Sequence, residues 1–245
     1  MSEVMALIDA DAIVWIASWG LTTPDELKKG ITKIDDIIKD IVTQAYADDF
    51  MVYLKGESNF RNRIIDDYKG HRSNEKPPLF ERLFSYLVRE YNALESVDQE
   101  ADDAIGIEAF RRMSMESKYI ICTTDKDMKQ IPGPHYNYHA KSRIGFNTTI
   151  DEAYHFLYSQ IISGDPTDNI KGLFRVGEKT AMKWLSSCTN NIERYEIVAQ
   201  AWQNAHPEDW EQRMTECAQL VYIRRKPREM WQIESHSIID NIWSD

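Results

Sequence analysis

Four short apolar runs, each broken by polar residues, constrain this chain more than any other feature. Val4–Ile8 ends on Asp9, Phe50–Leu54 on Lys55, and Tyr119–Cys122 on Thr123-Thr124-Asp125, while Ala93–Val97 is a weaker fourth. Runs so short suit buried strands better than helices. Between them apolar residues recur at three and four positions. One set is Ile34, Ile37, Ile38, Ile41, Val42 and Ala45; another, after the start signal Pro77-Pro78, is Phe80, Leu83, Phe84, Leu87, Val88, Tyr91 and Leu94. Ala101–Met113 reads as a further helix, and Thr149-Ile150-Asp151-Glu152 has the form of a capping box opening a helix through Ile162. Strands alternating with helices predict an α/β fold with a mostly parallel sheet, right-handed crossovers and flanking helices. After about residue 163 the strand signals stop. The expected organisation is an α/β part over residues 1–150 and a helical part over 151–245, with no linker between them.

Composition narrows the class. The chain has 245 residues, 42% of them hydrophobic, and seven Trp, enough for a core, so disorder and fibrous repeats are excluded. The longest apolar run, Ala12–Ala17, is far short of the ~20 residues that a membrane-spanning helix needs. Asp9 and Asp11 interrupt the place where a signal peptide would carry its apolar stretch, so no secretion is expected. Cys122, Cys188 and Cys217 form neither a CxxC pair nor an even framework and read as reduced thiols in a cytoplasm. A net charge of −11 excludes a binder that relies on bulk positive charge.

The acids are clustered. Asp9 ends the first strand; Glu100-Ala101-Asp102-Asp103 follows the weak strand and opens a helix; Asp125-Lys126-Asp127 follows the Tyr119–Cys122 strand; Asp165-Pro166-Thr167-Asp168-Asn169 opens the helical part. In an open parallel sheet, strand ends on one edge share a crevice, which brings up to eight carboxylates toward one place. Each cluster alone has a plainer reading: a loop cap for Asp9, an answer to the helix dipole for Glu100–Asp103, a turn with an N-cap for Asp165 and Asp168. Together they meet repulsion. Two carboxylates about 5 Å apart repel by about 3 kcal/mol at an effective dielectric of about 20, so several such pairs raise pKa values or call for cations. Hard oxygen donors without nearby His or Cys suit Mg²⁺ or Mn²⁺. Two such ions activate water and stabilise the leaving oxygen in phosphodiester cleavage.

The bases are clustered as well. Arg61, Arg63, Tyr68, Lys69, His71, Arg72 and Lys76 form a basic, aromatic-bearing stretch that reads either as a solvated face or as a phosphate contact. Gly172-Leu173-Phe174-Arg175-Val176-Gly177-Glu178-Lys179 is a Gly-punctuated turn into a helix, either helix packing or a backbone approach to phosphate. Arg224-Arg225-Lys226-Pro227-Arg228 reads as a solvated helix end, Trp202, Trp210 and Trp231 as packing residues, and His135, His139, His155, His206 and His236 as structural.

Leu7-Ile8-Asp9-Ala10-Asp11, Glu100-Ala101-Asp102-Asp103, Thr124-Asp125-Lys126-Asp127 and Gly164-Asp165-Pro166-Thr167-Asp168-Asn169-Ile170 occur in the order of the 5′→3′ exonuclease and flap endonuclease family. Over roughly residues 4–190 the chain resembles that family, and bacteriophage 5′→3′ exonucleases best. The resemblance implies a PIN-like α/β nuclease domain and two divalent metals, with cleavage near DNA 5′ ends or 5′ flaps, or at an RNA primer in an RNA–DNA hybrid. It implies first-metal acids at Asp9, Glu100, Asp102 and Asp103 and second-metal acids at Asp125, Asp127, Asp165 and Asp168. Where the family carries another Asp, this chain has Gly56 and Glu57, so Glu57 is the substitute candidate. Tyr68-Lys69-Gly70-His71-Arg72 resembles the family's YKxxR block, which implies Lys69 and Arg72 on the scissile phosphate, Tyr68 stacking on a base, and a helical gateway over about 69–92. Residues 161–187 resemble a helix-three-turn-helix gripping duplex DNA through Lys171, Gly172, Gly177, Lys179 and Lys183. That module carries a K⁺ ion in the family, and Arg175 here replaces its middle Gly. Two other readings stay open: a PIN-type single-strand ribonuclease, and a catalytically silent DNA-structure-binding protein. Neither the oligomeric state nor a role for the residues after about 188 is legible.

Overall fold

The computed structural model describes residues 3–71, 75–139 and 143–233. It divides into two compact bodies. One holds the described residues through Asn59, those from 75 to Thr148, and Arg224–Pro227; the other holds Phe60 to His71, Thr149–Ile223 and the described residues from Arg228 on.

In the first body the chain runs β1 (Met5–Asp9), α1 (Asp11–Ser18), α2 (Leu27–Gln44), β2 (Asp49–Leu54), α3 (Phe80–Glu90), β3 (Leu94–Glu95), α4 (Ala101–Ser114), β4 (Tyr119–Cys122), β5 (Gly133–Asn137) and β6 (Ile144–Thr148). The six strands form one sheet in the order β3-β2-β1-β4-β5-β6. All pairings are parallel except β5 with β6, so the α/β, mostly parallel expectation holds. Central β1 pairs on both sides, with Leu7 opposite Met51 and Ile121. Ala6 and Ile8 point into a cluster with Ile13, Val14 and Ala17 of α1, Ile34, Ile38 and Ile41 of α2, and Leu83 and Leu87 of α3. Leu7, one residue out of phase, faces the other side. Each fully buried Leu or Ile contributes about 1.5–3 kcal/mol, and this double burial makes β1 a continuous apolar run.

Several elements depart from the sequence reading. Ala12–Ala17 lies in helix α1, with Trp15 and Ile16 exposed. Asn92, in the left-handed region (φ 50°), turns the chain after α3, so Leu94 falls in β3. Strands β5 and β6 carried no apolar signal: β5 begins Gly133-Pro134-His135, and four of the five β6 residues are exposed, as an edge strand allows. The expected gateway over 69–92 includes Phe80–Glu90, which is the core helix α3, and residues 72–74, which lie outside the described set.

The second body contains α5 (Ile150–Ser163), a two-stranded ladder of β7 (Gly164–Asp165) and β8 (Ile170–Lys171), then α6 (Glu178–Leu185), α7 (Asn191–Ala205) and α8 (Trp210–Val221). The capping box forms as expected: Glu152 N–H donates to Thr149 Oγ1 at 3.1 Å, and Thr149 N–H to Glu152 Oε2 at 2.8 Å. The β7–β8 ladder corrects the all-helical expectation. It exists because Gly164 (φ 65°) lets the chain reverse and Gly172 packs against Ser163 and Gly164; a Cβ at either glycine would run into backbone atoms of the other's segment. Tyr158, Ile161, Ala181, Leu185, Val198, Trp202, Met214 and Cys217 fill the core, together with Tyr68 from the Phe60–His71 segment. Gly177, by contrast, meets nothing within 4 Å of a built Cβ. Gly164→Ala is therefore expected to lower stability by at least ~2 kcal/mol, while Gly177→Ala stays within about 1 kcal/mol, as read by urea denaturation.

Candidate active site

In the first body the acids stand at the C-terminal edge of the parallel strands. Asp9 ends β1, and the next peptides start α1, whose first residue is Asp11. Asp9 Oδ1 accepts the Asp11 N–H at 3.3 Å, and Asp9 Oδ2 the Thr123 hydroxyl at 2.9 Å. The Thr123 hydroxyl in turn accepts the Asp125 N–H at 3.0 Å, and Asp125 accepts the Asp127 N–H at 2.8 Å. Strand end β1 is thus wired to the loop after β4. Burial, then the charges of Asp11 and Asp125, raise the Asp9 carboxyl to about 7, against the opposing pull of the Thr123 hydrogen bond. Asp11 also accepts the Lys55 N–H at 2.9 Å, anchoring the loop after β2, and Lys55 Nζ lies 3.7 Å from Glu100. Asp11 was not singled out from sequence, although its spacing of two from Asp9 across a strand-to-helix junction is a signal that both face one edge.

Glu100 caps α4, and its N–H donates to Asp103 Oδ2 at 3.0 Å; Asp102 Oδ1 accepts the Asp103 N–H at 2.6 Å. Asp103 differs from the other acids. It is fully buried, and its second oxygen accepts the Arg224 N–H at 3.0 Å. One backbone N–H engages each Asp103 oxygen, which leaves the remaining lone pairs as what it can offer a cation. The solvated reading of the Arg224–Arg228 run is corrected for its first two residues, while residues 226–228 are exposed. Arg224 is buried, donating to Asp98 O and Gln99 Oε1, and Arg225 is buried with its guanidinium 5.0 Å from the Phe110 ring centre. Glu57 is exposed. Gly56 is required where it stands, because a Cβ would collide with the Ser96 carbonyl.

In the second body Asp165, nearly buried, accepts the Thr167 N–H at 2.7 Å. Asp168 accepts the Tyr68 hydroxyl at 3.2 Å and stands 3.3 Å from Lys69 Nζ. Tyr68 is buried in the core, so its expected stacking on a base gives way to packing and to this hydrogen bond. Arg61, read as part of a phosphate-facing stretch, is buried and donates to Leu220 O at 2.8 Å and Tyr222 O at 2.7 Å. Arg72 lies outside the described residues. Lys171, Lys179 and Lys183 are exposed, as is Gly177 at the start of α6. Gly172 is held by internal packing, and Arg175 adopts φ 60°, a conformation that suits the Gly it replaces.

Among the described residues no group of three or more His, Cys, Asp or Glu side chains is arranged so that it could hold a metal ion. The donor chemistry of Asp9, Asp11 and Asp125 still fits a hard cation: oxygen donors only, with Asp9 held high in pKa by burial and like charge.

A family model described as 5′-3′ exonuclease, N-terminal resolvase-like domain, matches residues 4–156, more than half of the chain. The chain belongs to the 5′-3′ exonuclease family. This exonuclease-family chain is 31% identical over 157 residues to a 5′-3′ exonuclease of Buchnera aphidicola, covering 58% of this chain and 54% of that protein. It is 32% identical over 146 residues to DNA polymerase I of Bacillus caldotenax, covering 53% of this chain and 16% of the polymerase. The chain therefore spans about half the length of the first relative and a small part of the second. Its fold is similar to bacteriophage T5 5′-exonuclease with zinc ions bound, at TM-score 0.64 and 18% identity, covering 89% of this chain and 88% of that one. A T5 flap endonuclease complex with DNA and metal ions gives TM-score 0.57 at 14% identity, covering 89% of this chain and 98% of that one. No helix among the described residues is long and apolar enough to cross a membrane.

The raised Asp9 carboxyl sets a pH test. Below about pH 4 the folded and unfolded forms both hold the proton and the burial of Asp9 costs nothing. From there to about 7 the unfolded form ionises while the folded form does not, so stability falls as pH rises, and above 7 the loss is constant. In metal-free buffer Asp9→Asn is expected to melt above wild type at pH 8, with the gap closing as pH falls toward 4. Added Mg²⁺ should raise the wild-type melting temperature and leave the variant's unchanged, as calorimetry across pH would show.

Proposed function

We propose that this chain is a divalent-metal-dependent 5′→3′ exonuclease with 5′-flap endonuclease activity, hydrolysing phosphodiesters near DNA 5′ ends. The observation that carries the reading is the Asp9–Asp11–Asp125 carboxylate group at the strand-end edge of a family-matched sheet. The neighbours that bind divalent ions and DNA, T5 5′-exonuclease and T5 flap endonuclease, support it. Asp9, Glu100, Asp102 and Asp103 are proposed as first-metal acids, and Asp125, Asp127, Asp165 and Asp168 as the second-metal group. Asp103 also holds the start of α4 through its two backbone hydrogen bonds. Glu57 is a further donor candidate from the loop after β2. Two Mg²⁺ or Mn²⁺ ions would supply an activated water and stabilise the departing 3′ oxygen.

The chain's own part is to place charge. Lys69 Nζ and the Arg72 guanidinium neutralise the phosphoryl oxygens as charge develops on them. Lys171, Lys179, Lys183 and the open N-terminus of α6 at Gly177 grip duplex phosphates without reading sequence. Gly177 has no internal steric reason to be glycine, which fits a backbone that lies close to a ligand. A K⁺ ion at the turn before α6 is part of the same proposal.

The test is cleavage of labelled 5′-flap DNA, blunt duplex, RNA–DNA hybrid and single-stranded RNA, each with Mg²⁺ or EDTA. Flap and duplex cutting that disappears with EDTA and in Asp125→Asn is expected. Cutting of RNA alone would replace this reading with a single-strand ribonuclease, and DNA binding without cutting would make the chain a structure-binding protein. Lys69→Ala should lower kcat about 10²-fold or more while duplex affinity changes less than about threefold.

A further inference from the structure

Lys69 (φ 56°) and Asn169 (φ 61°) both sit in the left-handed region that L side chains seldom adopt. Such conformations persist where surrounding bonds over-determine them, and here the bonds run between the two residues' own segments. Lys69 N–H donates to the Asp168 carbonyl at 3.1 Å. Asn169 Nδ2 donates to the Asp67 carboxylate at 2.7 Å and to the Asp67 carbonyl at 3.0 Å. The Asp67 carbonyl also accepts the Gly70 N–H at 3.0 Å, and the Asp67 carboxylate lies so close over Gly70 that a Cβ there would meet it. Inside this clamp Lys69 Nζ is 3.3 Å from Asp168 Oδ2 and 5.1 Å from the Tyr68 ring centre.

The clamp is not what secures the segment. Arg61 and Tyr68 already bury it, through the Leu220 and Tyr222 carbonyls and the core of the second body. Asp67 is exposed, and an exposed pair of this kind adds little to global stability. What its bonds do determine is the backbone at Lys69. A lysine side chain has large rotamer freedom, so a fixed starting backbone and a fixed counter-charge narrow where its ammonium can be.

We infer that Asp67 and Asn169 are positioning residues, an exposed carboxylate–carboxamide clamp that presents the Lys69 ammonium to a phosphate. The inference rests on the nuclease reading above, in which Lys69 faces the scissile phosphate. Asp67 is the decisive position, because it belongs to none of the acidic clusters and its substitution leaves every proposed metal acid in place.

The experiment compares Asp67→Ala, Asp67→Asn, Asn169→Ala and the double alanine variant on 5′-flap DNA with Mg²⁺, alongside melting temperatures and amide hydrogen exchange at Lys69. Misplacing a charged group by about 1 Å costs on the order of a hundredfold. Asp67→Ala and Asn169→Ala are expected to lose about tenfold to a hundredfold in kcat, with KM within about threefold. Lys69 amide exchange should accelerate, and the melting temperature should hold. The double variant should be no worse than either single one, as for two halves of one contact. Asp67→Asn keeps an acceptor oxygen for Asn169 and should recover most of the rate. An active wild type with an unaffected Asp67→Ala, or with Asp67→Asn as impaired as Asp67→Ala, overturns this inference alone. A wild type that cuts nothing in Mg²⁺ overturns the functional reading and this inference with it.

Discussion

A carboxylate at the end of a strand buried on both faces has little water to answer its charge. Asp9 is in that position, with Asp11 two residues on and Asp125 across the Thr123 hydroxyl, and its carboxyl is held near neutrality by burial and like charge. A core strand would be more stable ending on a neutral residue. The acid at the end of β1 is therefore a destabilising one, and its oxygen donors suit a hard cation that would share the space. Parallel pairing of β1 with β2 and β4 aligns their C-terminal ends. Asp11 pins the loop after β2, and the capped start of α4 brings Glu100 within reach of Lys55.

Supporting residues do as much as the acids themselves. Asp103 and Arg224, far apart in sequence, are joined by a buried hydrogen bond that ties the Arg224–Pro227 strap to the first turn of α4. Both looked like surface chemistry: an acid beside other acids, an arginine in a basic run. Burial gives both a scaffold role, because a buried charged side chain must find polar partners, and backbone groups at a helix start and in a passing strap supply them. Arg61 follows the same logic in the second body, where the Leu220 and Tyr222 carbonyls at the C-terminal end of α8 accept from its guanidinium.

Glycines separate steric from capping demands. Gly56, Gly164 and Gly172 stand where another backbone passes too close for a Cβ. Gly177 stands in the open with an ordinary φ of −93°, as the N-cap of α6, where glycine is favoured without any steric demand. Arg175 shows the opposite case: a bulky residue in a left-handed position, tolerated in a turn between β8 and α6.

Local pattern was enough to place β1, β2, β4, most of α2 to α5, the Thr149 capping box and the acids at strand ends, since period and capping chemistry depend only on neighbours in sequence. The family was legible for the same reason: its acidic motifs are short and contiguous. Strand β6 was not legible, because an exposed edge strand needs no apolar run, nor was β5, which opens on Gly133-Pro134 and pairs between β4 and β6, and neither was α1, because an apolar stretch beside a strand end has no period of its own. Only the tertiary structure decided that Tyr68 packs inward, that Asp103 and Arg224 meet, and that Asp67 grips Asn169 beneath Lys69. Contacts between segments a hundred residues apart are selected by packing and by the need to satisfy buried polar groups, and those constraints do not exist until the chain has folded.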